Sequence, residues 1–370
     1  MPMFHPSHCT AAAALIVLLT TGPAPLAAQS QDGAELDALI AAIEAWRHSP
    51  HGDYTSESFT HWNEDGAVPE NCAACHSQPG FLDFLGTDGR DAGIVNHPAA
   101  INAVIGCASC HVEEAHALDA VALPSGVTLE GLGANATCTV CHSGRASSDT
   151  VSAAVDTLSA DIVSPELGFI NVHYGIAAAV MQGGDGRAGF HYPGQAYVGA
   201  FRHVRGADSC VACHEPHSTE VALDGCQSCH RGVENPRDIR MRNGDFDGDG
   251  DNSGGIHAEI TGLQAVLYEA IQTYGTEVAG TPIGYAEGRF PYFFTDSDGD
   301  GSIAGDEAAF PNRYQSWTPR LLQAAYNYQV ALQDPGGYVH NPTYLLQLLH
   351  DSIESLSARV EVDMAGIARP

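Results

Sequence analysis

Ten of the eleven cysteines lie in five C-x-x-C-H motifs: Cys72, Cys75 and His76; Cys107, Cys110 and His111; Cys138, Cys141 and His142; Cys210, Cys213 and His214; Cys226, Cys229 and His230. Two thiols three residues apart can reach both vinyl groups of one porphyrin, and the next imidazole is then placed to ligate its iron. Zinc knuckles and disulfide frameworks also use paired cysteines. A motif repeated five times that consumes every cysteine beyond residue 9 points instead to five covalent c-type haems.

Each motif histidine is a proximal ligand, so the sixth coordination position decides the chemistry. A second histidine gives six-coordinate, low-spin iron suited to electron transfer, whereas an open position admits small-molecule chemistry. Outside the motifs and the first ten residues stand His48, His51, His61, His97, His116, His173, His191, His203, His217, His257, His340 and His350. His217 follows His214 in Cys213-His214-Glu215-Pro216-His217, a turn short enough to serve two neighbouring haems. His51, His61, His173 and His203 sit among aromatics and glycines. Those five are the expected distal ligands of iron, ahead of His97, His116, His191 and His340.

Elements that position this chemistry read unevenly along the chain. Residues 1–28 read as an export signal, with an apolar run from Ala11 to Leu19, a break at Pro23 and Pro25, and Leu26-Ala27-Ala28 before Gln29. Cys9 precedes the apolar run and does not fit a lipid anchor. Leu36, Leu39, Ile40, Ile43 and Trp46 have the spacing of one helix face. From His51 to about Arg242 the pattern is irregular, punctuated by Gly, Pro and Asp, and residues 29–242 read as a domain organised by haem. In residues 243–370 the cysteines stop and helical periodicity begins: Ile256 to Tyr274, then Leu321 to Ala331 after Thr318-Pro319, then Tyr344 to Leu356 after Asn341-Pro342. The fold class expected is mainly α with extensive loop.

Two acidic loops belong to that last region. Residues 296–307 match the twelve-position calcium loop, with Asp296, Asp298 and Asp300 at positions 1, 3 and 5, glycine at 6, the Ser302 carbonyl at 7 and Glu307 at 12. Asp245, Asp247, Asp249 and Asp251 repeat the first half, but position 12 is Ile256 and Glu259 is the nearest acid. Calcium, a hard cation, suits these oxygen donors, in a structural role.

The formal charge is −30, with 15 arginines and no lysine. Such a surface disfavours nucleic acid and anionic lipid, and suits cations and basic redox partners. After the signal no segment reaches the roughly 20 apolar residues of a membrane span. A periplasmic or extracellular location is expected.

Several stretches resemble the secreted polyhaem cytochromes c of metal-respiring and related bacteria: Phe59-Thr60-His61-Trp62, Asn171-Val172-His173-Tyr174, Cys213-His214-Glu215-Pro216-His217, Trp317-Thr318-Pro319-Arg320-Leu321-Leu322, Ala324-Ala325-Tyr326-Asn327-Tyr328-Gln329, and His340-Asn341 with Gln347-Leu348-Leu349. The resemblance implies respiratory electron transfer through bis-histidine haems to redox proteins or an extracellular acceptor, in some relatives as filaments. A multihaem reductase of a small nitrogen or sulfur oxyanion, with one open haem site, is the competing expectation. Its C-x-x-C-K form is excluded by the missing lysine.

Overall fold

The computed structural model describes residues 26–240 and 243–370, with side chains from residue 33 onward. The export signal expected over residues 1–28 falls outside them except for its last three residues, and so does boundary residue 242. The described chain is helix and loop with little sheet. Two short antiparallel ladders occur, β1 (Val121–Ala122) with β2 (Thr128–Leu129), and β3 (Ile283–Tyr285) with β4 (Phe293–Thr295). No described helix is long and apolar enough to cross a membrane.

Helix α1 (Leu26–Arg47) carries the expected stripe, but Leu36, Leu39, Ile40 and Ile43 face solvent. Only its end is tied down, where Trp46 Nε1 donates to the Ile105 carbonyl at 2.8 Å. Three long helices close the chain: α2 (Ile256–Glu277), α3 (Pro319–Leu332) and α4 (Pro342–Ser357). The start signals act as read. Thr318 Oγ1 accepts from Leu321 N at 3.2 Å and Asn341 Oδ1 from Tyr344 N at 3.3 Å, with proline at each first helical position.

The three helices pack against one another, and one core takes residues from both sides of position 242, from Ala146 to Phe190 and from Phe246 to Val360. Trp317, Tyr274, Tyr326 and Tyr344 are fully buried there. Their polar ends are satisfied: Trp317 Nε1 donates to the Tyr314 carbonyl at 3.0 Å, Tyr326 to the Ala188 carbonyl at 2.9 Å and Tyr274 to Asp161 at 2.7 Å. Around the first two motifs the aliphatic clusters are small, Val68, Ala73 and Ala99 in one and Phe81, Leu85 and Ala115 in the other.

Polar residues on the buried faces of α3 and α4 hold the irregular region. Asn327 accepts from Phe190 N at 2.6 Å and donates to its carbonyl at 3.0 Å. Gln329 Oε1 accepts from Val172 N at 3.0 Å, and Gln347 Oε1 from Val198 N at 2.9 Å. These side chains pair loop backbone that forms no sheet ladder.

Asp161 ties the same helices together, accepting from Arg320 Nε at 2.7 Å, Tyr274 OH at 2.7 Å and Arg359 at 2.9 Å. The Arg320 hydrogen bond is the main reason its carboxyl sits below the ordinary 3.8. A depressed folded value means that this stabilisation is complete above the unfolded value and is lost as pH falls through the folded one. Asp161→Asn should therefore cost about 1–3 kcal/mol near neutrality. In urea melts at several pH values, the gap from the parent should close as acid protonates Asp161. A gap that persists in acid would show that its charge is not what stabilises.

Candidate metal centres: paired histidines and acidic loops

All five motifs lie on or beside short helices: Glu70–His76, Ala108–His111, Ala136–Cys141, Cys210–Cys213 and Leu223–Gln227. One helical turn brings cysteines three apart to one face. None of the ten motif cysteines is paired in a disulfide.

Opposite every motif histidine stands a second imidazole. Ring centroids are 5.8 Å apart for His76 and His173, 6.2 Å for His111 and His217, 6.3 Å for His142 and His51, 6.4 Å for His214 and His340, and 6.0 Å for His230 and His203. A metal–imidazole bond of about 2 Å and a nitrogen about 1 Å from the ring centre put two imidazoles on one metal about 6 Å apart. The five spacings fit one iron between each pair. His116 also approaches His111, at 6.3 Å. It comes from the same segment as the motif, whereas His217 comes from the far side of the sequence.

Hydrogen bonds at Nδ1 orient many of these rings. His76 bonds the Ser58 carbonyl at 2.8 Å, His142 that of Gly175 at 2.9 Å and His214 that of Thr219 at 3.2 Å. His217 bonds Glu215 at 3.1 Å and His340 bonds Asp334 at 2.7 Å. With Nδ1 so engaged, Nε2 is the nitrogen left for a metal. Gly175 has φ +61°, and a Cβ there would lie 3.1 Å from His142 Nδ1. The close approach requires glycine at that position.

Burial favours the neutral, ligating form of several rings. Burial pulls His173 down to about 4, helped by His76 and Arg145. His51, His76 and His142 are lowered mainly by the same cause. His340 is the exception: burial lowers it, but the Asp334 hydrogen bond and charge outweigh that and raise it.

Sequence reasoning named His51, His173, His203 and His217, and each faces a motif histidine. It also named His61, which the structure sets elsewhere: Nδ1 lies 3.0 Å from Glu57, and the ring meets Trp62 edge-on at 4.8 Å. His340, which sequence reasoning ranked lower, faces His214. The available signal was the turn Asp334-Pro335-Gly336-Gly337 just before it. Of the others, His191 Nε2 shares a hydrogen bond with Tyr344 OH at 2.8 Å and its ring stacks on Tyr197, and His97 pairs with Asp83.

The third motif touches its neighbours. Cys141 Sγ contacts the Ala74 carbonyl and Cys75 Sγ the Val140 carbonyl, each at 3.8 Å. Cys210 N donates to Asn135, beside the third motif's helix, at 2.9 Å. The fifth motif sits at the margin, with Cys229 exposed and no buried residue in its helix.

The acidic loops share one hydrogen-bond pattern. Asp296 accepts from Gly299 N at 2.8 Å and Gly301 N at 2.9 Å; Asp245 accepts from Gly248 N at 2.6 Å and Gly250 N at 2.8 Å. Carboxylates of Asp296, Asp298 and Glu307 converge within 4.8 Å, as do those of Asp245, Asp247 and Glu259. Asp300, Ser302, Asp249 and Asp251 lie outside those two groups; Asp300 accepts from Ser302 N at 2.8 Å and Asp249 from Asp251 N at 2.7 Å. In the first loop Glu259 is paired with Arg240. Burial, with the charges of Glu259, Asp249 and Asp245, pushes Asp247 up to about 6.

Five C-x-x-C-H motifs, each with a second histidine facing its own, thus stand on a mostly helical, loop-rich chain. The sequence is similar to the C-type polyheme cytochrome OmcB of Geobacter sulfurreducens, 24% identical over 386 residues that cover 85% of this chain and 47% of the relative. It is also similar to the C-type polyheme cytochrome OmcC of the same organism, 25% identical over 411 residues, 91% of this chain and 48% of the relative. The chain thus spans about half the length of the curated relatives it matches. No family model and no solved structure matches. Both relatives are named as C-type polyheme cytochromes, which supports c-type haem as the cofactor of the five motifs.

Proposed function

We propose that this chain is an exported pentahaem cytochrome c that moves electrons between redox partners and an external acceptor in respiration. The observation that carries the reading is the second imidazole about 6 Å from every motif histidine. The ligand pairs are His76 with His173, His111 with His217, His142 with His51, His214 with His340 and His230 with His203. His340 takes the role that sequence reasoning gave to His61. Bound haem supplies one-electron chemistry. The ten histidines would hold the irons in pairs, with His76, His142, His214, His217 and His340 oriented through Nδ1, and no facing position would be left to a substrate. The small aliphatic clusters near the first two motifs fit a region whose apolar filling comes from macrocycles. Assembly into filaments is compatible with this role.

Rapid mixing tests it. The fully reduced holoprotein should be oxidised by a soluble ferric chelate and stay reduced with nitrite, hydroxylamine or sulfite. Sustained turnover of one of those three would favour the oxyanion reductase instead.

We also propose calcium at Asp296, Asp298, Asp300, Ser302 and Glu307, and at Asp245, Asp247, Asp249, Asp251 and Glu259, bracing the start of α2 and the β3–β4 region. Calcium at a hundredfold excess over its dissociation constant would stabilise by about 2.7 kcal/mol. Chelator should lower the melting temperature, and Glu307→Gln should blunt that response. A melt indifferent to chelator and metal content would remove the calcium sites.

A further inference from the structure

The five histidine pairs differ in what their imidazole Nδ1 atoms meet. His76, His142 and His214 donate to main-chain carbonyls, and His217 meets Glu215, whose side chain is 48% exposed. His340 alone meets a buried carboxylate: Asp334 lies 2.7 and 2.9 Å away through its two oxygens, with its side chain 2% exposed. The arrangement is built into the turn between α3 and α4. Gly336 N donates to Asp334 Oδ1 at 3.2 Å, and Gly337 N to the Asp334 carbonyl at 2.9 Å. A Cβ on Gly336 would come within 2.6 Å of His340 Cε1, so glycine makes room for the ring.

The geometry points to Asp334 as a tuning residue that gives His340 imidazolate character and lowers the reduction potential of the haem held by Cys210, Cys213 and His214. A carboxylate at Nδ1–H pushes electron density onto the ring and raises its basicity as a ligand. A more basic ligand, with a fixed negative charge beside it, favours ferric over ferrous iron. Burial keeps water from screening the charge, which separates Asp334 from Glu215. The inference rests on the bis-histidine reading of His214 and His340.

The test is a spectroelectrochemical titration of the full-length holoprotein and of Asp334→Asn, with electron paramagnetic resonance on the same samples. Asparagine keeps the size and an acceptor but removes the charge. One of the five potentials should rise, so that at fixed ambient potential its reduced-to-oxidised ratio grows about tenfold, or 59 mV for one electron. All five signals should stay low-spin, with one altered in its g values, and Asp334→Glu should return the potential toward the parent. Unchanged potentials with five low-spin signals would overturn the inference while leaving the bis-histidine reading intact. A high-spin signal in Asp334→Asn alone would also overturn it, reducing Asp334 to holding His340 in place. A high-spin iron in the parent, with haem at full stoichiometry, would take down the reading beneath it.

Discussion

Replacing Cys138 and Cys141 with alanine should leave a protein that retains at most about three haems, whereas the same change at Cys226 and Cys229 should leave about four. The difference follows from position. Cys141 lies against the Ala74 carbonyl, Cys75 against the Val140 carbonyl, and Asn135 accepts from Cys210 N. His142 also fixes the Gly175 carbonyl beside His173, the partner of His76. An empty third site therefore removes packing from the first and fourth sites and frees His51. The fifth motif lies on a helix with no buried residue, so its loss should stay local. Haem per chain, by intact mass and haemochrome absorbance, reads the outcome. Four haems in both variants would show that the third motif is not the junction its contacts suggest.

Asn327→Leu should cost about 2–6 kcal/mol, because it strands both buried polar groups of Phe190, each worth about 1–3 kcal/mol when unpaired. Leucine matches asparagine in length, so little of that loss can be assigned to a cavity. Solvent-exposed Gln195, which reaches Glu354 at 3.4 Å, supplies the control, and Gln195→Ala should stay within about 0.5 kcal/mol. The loss should appear in urea as a lower midpoint at unchanged slope. A cost below about 1 kcal/mol would mean that the loop at Phe190 finds other partners without Asn327.

Asn327 also marks where the sequence was legible and where it was not. The motifs were readable because covalent attachment tolerates one spacing, and Thr318-Pro319 and Asn341-Pro342 because capping is local. Asn327, Gln329 and Gln347 interrupt apolar helix faces at core positions, but their partners are loop backbones far away in sequence. No periodicity encodes such a pairing. The stripe at Leu36, Leu39, Ile40 and Ile43 predicted a helix, and a helix formed, yet its apolar face meets solvent, since spacing says nothing about what a face packs against. The same limit governs the histidines. An aromatic neighbour made His61 conspicuous, but Trp62 packs its edge against that ring. His340 follows two glycines and Tyr338, a setting much like that of His203, and only the tertiary fold carries it to His214.

Electron paramagnetic resonance on the oxidised holoprotein, with haem counted on the same sample, tests the central claim most directly. Five haems per chain, all low-spin, are predicted from five facing histidine pairs. A reproducible high-spin iron at full haem stoichiometry would contradict the claim and open a site for substrate.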